Sequence, residues 1–103
     1  MINSGGLKIY PEEVESVLYT NRKIREVAVI GRPDERWGET VTAIVVPKKE
    51  ETLTEEEVIQ YTRERLASYK KPTRVFFVGE LPRNASGKVK KNELREMLGK
   101  GQL

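Results

Sequence analysis

The 103-residue sequence contains neither cysteine nor histidine. Their absence excludes disulfide frameworks, thiol nucleophiles, imidazole acid–base catalysis and ordinary zinc sites. Any chemistry must therefore run on lysine, arginine, carboxylates or the backbone, and no metal site is expected. No apolar run approaches membrane-spanning length, and the N-terminus lacks a charged-then-apolar leader. Neither insertion nor secretion is expected, and the expected location is the cytoplasm. Length is also scarce: 103 residues support one domain with a modest core and leave no room for a nucleotide-binding domain beside it. Internal repeats, low-complexity tracts and interdomain linkers are missing.

What is present is an alternation of short helical and strand patterns. Pro11 suits a first helical position, with Glu12 and Glu13 in the positive first turn, Val14, Val17 and Leu18 on one face, and Asn21 as a stop. The β-branched stretches Glu26 to Ile30 and Thr40 to Val46 read as strands, bounded by Gly31-Arg32-Pro33 and Pro47. Thr54 and Glu57 form a capping box that opens a second helix to about Ala67, with Val58, Ile59, Thr62 and Leu66 on one face. A third strand follows at Arg74 to Val78. Asn92 is expected to cap a last helix that turns Leu94 and Leu98 inward, with Gly99 beyond its end and the tail to Leu103 frayed. The order αββαβα predicts a single α+β domain, a small mixed sheet flanked by about three helices, with the Gly5-Gly6 and Lys88 loops as additional hairpin edges.

The net charge of +3 is unevenly spread. Between Ser68 and Arg95 eight cations face only Glu80 and Glu93, a net +6. Such a segment is either a solvated surface or a contact for an anionic partner. A small nucleic-acid-binding module is one alternative. Against it, Val75-Phe76-Phe77-Val78 lacks an RNP-like aromatic pattern and no Gly-x-x-Gly loop is present.

Four stretches carry the candidate function. Ser4-Gly5-Gly6-Leu7-Lys8-Ile9-Tyr10-Pro11-Glu12-Glu13-Val14-Glu15 opens the chain, and Arg32-Pro33-Asp34-Glu35-Arg36-Trp37-Gly38-Glu39 forms a polar turn. Tyr69-Lys70-Lys71-Pro72 closes the second helix. Leu81-Pro82-Arg83-Asn84-Ala85-Ser86-Gly87-Lys88-Val89-Lys90-Lys91 sets one lysine on a glycine turn rich in turn formers. A compact ammonium on a flexible stem at such a turn can reach an anion. It is not a Walker A loop, because Pro82 and Val89 stand where a glycine and a serine or threonine are needed.

In their order and spacing, these stretches resemble the C-terminal domain of AMP-forming acyl-CoA synthetases, and the resemblance covers nearly the whole chain. Such enzymes adenylate a carboxylic acid with ATP and pass the acyl group to the thiol of coenzyme A. Luciferases and the adenylation domains of peptide synthetases are relatives; the latter are the nearest enzyme alternative, although the wording Ile9-Tyr10-Pro11-Glu12-Glu13 is closer to the acyl-CoA ligases. The resemblance implies that residues 1–103 are the mobile C-terminal lid of a ligase, inactive alone, whose N-terminal domain binds ATP with its Mg2+ and the acid. It also implies an aspartate-bearing hinge just before Met1. Lys88 then matches the lysine of the adenylation step, where a cation offsets the repulsion between carboxylate and phosphate.

The same resemblance gives Gly5 and Gly6 a place along the pantetheine arm of coenzyme A, where the lack of side chains permits close approach. The resemblance also implies Lys8 as a coenzyme A or adenylate contact, and Tyr69 and Lys71 as positions that meet the adenine ring and phosphates of coenzyme A by stacking and charge. Structural alternatives stand beside these roles, Gly5-Gly6 as a plain tight turn and Tyr69 as a helix-end packing residue, while the Trp37 ring is expected to cover the sheet and help close the small core.

Overall fold

The computed structural model describes Met1–Leu103. The elements run β1 Ile2–Ser4, β2 Leu7–Ile9, α1 Pro11–Tyr19, β3 Ile24–Asp34, β4 Gly38–Pro47, α2 Glu55–Arg63, a single 3-10 turn Ser68–Lys70, β5 Arg74–Phe77 and α3 Lys91–Gly99. The expected αββαβα order holds, and the Gly5-Gly6 turn adds the antiparallel β1–β2 hairpin in front of it. β3 and β4 form the long antiparallel centre of the sheet. β4 also pairs with β5 in parallel through Thr42–Val45, and with β1 at Gly38, so the sheet is mixed.

Both faces of that centre are covered. Val27 and Val29 of β3, with Val41, Ala43 and Val45 of β4, pack with Val14 and Leu18 of α1 and Val58 of α2. The alternate residues Ala28, Ile30, Ile44 and Val46 pack with Leu81 and Leu94 on the opposite side, under α3. This is why Val27–Ile30 and Ala43–Val46 read as continuous apolar runs: the period of two places successive side chains in one core or the other. The outer edge of β3 is closed by α1. The Tyr19 hydroxyl donates to the Val27 carbonyl and accepts from the Val27 N–H, and a Glu15 carboxylate oxygen accepts the Val29 N–H at 2.8 Å. An unpaired edge would otherwise invite another strand.

Helix ends depart from expectation at three places. The capping box of Thr54 and Glu57 forms as read, but α2 stops at Arg63 instead of near Ala67. The Thr62 hydroxyl turns back onto the Ile59 carbonyl at 2.8 Å. Lys71 before Pro72 is held extended, which redirects the chain toward β5. α3 begins one residue before Asn92, with Lys90 at the cap position and no side-chain cap bond; Asn92 instead accepts from Arg95. Gly99 lies inside the helix, and the stop falls at Gly101, whose φ is +69°. Gly101 N–H bonds to the Leu98 carbonyl and Gln102 N–H to the Met97 carbonyl, the pattern of a Schellman motif. The tail is thus tied back, with Leu103 against the α3-side core.

Candidate functional site

The Lys88 loop is a built turn. The Asn84 side-chain oxygen accepts from Ser86 N–H, the Ser86 hydroxyl and Lys88 N–H at 2.8–3.0 Å. Asn84 N–H bonds to the Lys88 carbonyl at 2.9 Å, and Gly87 takes φ +85°. Arg83 and Val89 pair across the turn's base, although no full strand forms there. An asparagine that holds three donors replaces the ladder that so short a hairpin cannot supply. Lys88 itself is exposed and lines a groove of about 1190 Å³ between α1 and α3, opposite Glu12 and Glu15.

The basic segment is less free than its charge suggests. Lys70 pairs with Glu13 at 2.8 Å, Arg74 with Glu55 at 3.1 Å, Lys90 with Glu93 at 3.7 Å and Lys91 with Glu15 at 2.8 Å. Arg83 pairs with Glu26, the Lys71 ammonium donates to the Ser68 carbonyl and hydroxyl, and Arg95 donates to Asn92. Lys88 is the one cation of the eight whose head group has no protein partner. The Arg83 hydrogen bond holds the Glu26 carboxyl below its ordinary value, against the opposing pull of burial. The Glu13 hydrogen bond raises Lys70 above its own ordinary value.

Gly5 and Gly6 form the tip of the β1–β2 hairpin with φ of +57° and +85°, the pair of positive values that a two-residue type I′ turn requires. Trp37 does not close the core: it is 48 % exposed and its ring lies over Gly5. The Asp34 carboxylate fixes it by accepting Arg36 N–H and Trp37 N–H, both at 2.9 Å, and the Trp37 carbonyl accepts Gly5 N–H at 2.8 Å. The two turns therefore support each other, and Gly6 stands open with no atom near its missing Cβ. Lys8 is exposed on β2.

Tyr69 is 44 % exposed on the 3-10 turn, with the Lys70 ammonium 5.6 Å from its ring centre, so it is not a core residue. Lys71 is half-buried beside it. No hydrogen bond or ion pair joins the Lys88 turn, the Gly5-Gly6 tip and the Tyr69–Lys71 turn to one another. Sequence reading missed Glu26 and Glu15, whose partners lie on other elements. A glutamate at the head of the apolar run Val27–Ile30 was the available signal for Glu26.

Residues 13–88 match the family described as AMP-binding enzyme C-terminal domain. An indoleacetate–CoA ligase from Aromatoleum aromaticum is 50 % identical over 100 residues, covering 97 % of this chain and 20 % of that protein. The solved Mycobacterium tuberculosis fatty acyl CoA synthetase superposes with a TM-score of 0.91 at 46 % identity, over 98 % of this chain and 20 % of that one. An o-succinylbenzoate CoA synthetase from Bacillus subtilis, solved in complex with its acyl-adenylate intermediate, superposes at 0.84 with 42 % identity, over 91 % of this chain and 19 % of that one. The chain thus spans about a fifth of the length of these relatives. Sequence and fold agree from the Gly5-Gly6 hairpin to α3, and the chain belongs to the AMP-binding enzyme C-terminal domains, the kind that acyl-CoA synthetases carry.

Proposed function

We propose that the chain is the mobile C-terminal lid of an ATP-dependent carboxylic acid–CoA ligase, in which Lys88 serves adenylation and the Gly5-Gly6 tip serves thioester formation. The observation that carries this reading is the isolation of Lys88: seven neighbouring cations are engaged within the domain, while Lys88 is held out on an ordered turn with its ammonium unspent. An ammonium so presented suits a site where carboxylate and phosphate oxygens converge. ATP with its Mg2+, the acid and most of the coenzyme A site belong to a preceding N-terminal domain, so the 103-residue chain alone should be inactive. Gly5, Gly6, Lys8, Tyr69 and Lys71 form the proposed coenzyme A contacts. No hydrogen bond or ion pair ties the Lys88 turn to these residues, and two such independent regions suit a lid that presents one, rotates, then presents the other. Both co-substrates are cytoplasmic, which is where the reading places the enzyme; no helix is long and apolar enough to cross a membrane. The nucleic-acid alternative draws no support from a basic segment whose charges are mostly paired internally.

The test is Lys88→Ala in the ligase that carries this chain. Pyrophosphate release in the acid- and ATP-dependent half-reaction should fall about 100- to 1000-fold. Thioester formation from supplied acyl-adenylate should stay within a few-fold of the unaltered enzyme. Equal loss of both steps, or no loss of the first, refutes the assignment.

A further inference from the structure

We propose that Glu26 and Arg83 form a strut that positions the Lys88 turn on the sheet, making both of them positioning residues for adenylation. The inference rests on the reading of Lys88 given above. Asn84 fixes the shape of the turn from within, but all of its bonds end inside the turn and none sets the turn's orientation on the domain. Arg83 supplies that second constraint. One arm of its guanidinium donates to the Gly87 carbonyl, immediately before Lys88, at 2.7 Å, and the other arm pairs with a Glu26 carboxylate oxygen on β3. The second Glu26 oxygen meets Arg25 at 3.4 Å, and Arg25 reaches the Gly79 carbonyl at 3.3 Å.

The chain from the end of β5 to the Lys88 turn is thereby tied at two points to one carboxylate on the longest strand. A planar guanidinium suits this span because its two arms diverge in a fixed fork, which a lysine lacks. The Glu26 side chain is 22 % exposed, so solvent screens the pair less than it screens the rim pairs of α2. The hold of Arg83 on Glu26 also appears in the lowered proton affinity of that carboxyl.

A displacement of a reacting group by about 1 Å can cost on the order of 100-fold in rate. Glu26→Gln, Arg83→Gln and the double variant should therefore each lower kcat of the adenylation half-reaction by about 10- to 100-fold. KM for ATP should move less than about twofold, and thioester formation from supplied acyl-adenylate should be unchanged. The double variant should be no worse than the more impaired single, because the two residues act as one unit.

Parallel loss of both half-reactions would show a folding role and overturn the strut. So would adenylation at wild-type kcat in Glu26→Gln and Arg83→Gln when Lys88→Ala abolishes it. Lys88→Ala, run alongside, separates the two failures: if it spares adenylation, the functional reading falls and the strut with it.

Discussion

Replacing Gly6 separates backbone strain from blockage of a ligand path. Gly6 holds φ +85°, and a Cβ built there meets no atom within 4 Å, so the domain offers space and the backbone alone objects. Forcing leucine into that left-handed conformation should cost about 1–2 kcal/mol. In a domain of this size each kcal/mol lowers Tm by about 4–8 °C, so Gly6→Leu should melt roughly 4–16 °C below the unaltered protein. Gly6→Asn should recover much of the loss, because asparagine tolerates positive φ. Gly5→Ala should lose more than Gly6→Ala. It adds to φ +57° a contact of 2.8 Å with the Trp37 ring, which must shift.

Thermal unfolding of each variant by circular dichroism gives the stability term. The two half-reactions, measured in the ligase well below the lowest Tm, then give the functional term. Gly6→Leu should adenylate normally and accumulate bound acyl-adenylate, while Gly6→Asn blocks the second step less. A Gly6→Leu protein that melts with the wild type refutes the strain argument. A folded Gly6→Leu enzyme with unimpaired thioester formation removes Gly6 from the coenzyme A path.

Two further outcomes are expected. Thr42 is fully buried on β4 and its hydroxyl has no hydrogen-bond partner, so Thr42→Val should stabilise the domain by about 1 kcal/mol. This would be read as a higher urea midpoint at unchanged slope, and a lower midpoint would show that the hydroxyl has a partner. Lys71→Ala should raise KM for coenzyme A by about 5- to 30-fold, equivalent to about 1–2 kcal/mol, and leave KM for ATP unchanged. Wild-type KM for coenzyme A in both Lys71→Ala and Tyr69→Ala would leave the 3-10 turn a purely structural element.

The sequence by itself determined the features that depend on near neighbours and on residue type. Pro11 with Glu12 and Glu13, the Thr54–Glu57 box, and the β-branched runs of β3 and β4 located the elements because each is settled within a few residues. The Gly5-Gly6 and Gly87-Lys88 pairs were legible for the same reason: a turn's φ requirement falls on the residues that form it. Tertiary structure decided where α2 ends and where α3 begins, since between them the chain must turn to reach β5 and then leave the Lys88 turn. It alone moved Trp37 out of the core and onto Gly5. It alone revealed that Lys88 stands unpaired among eight cations. Composition counts charges, but whether a cation is free depends on carboxylates far away in the chain, as with Glu13 for Lys70 and Glu26 for Arg83. Only the folding of the sheet and helices brings those groups within hydrogen-bond range.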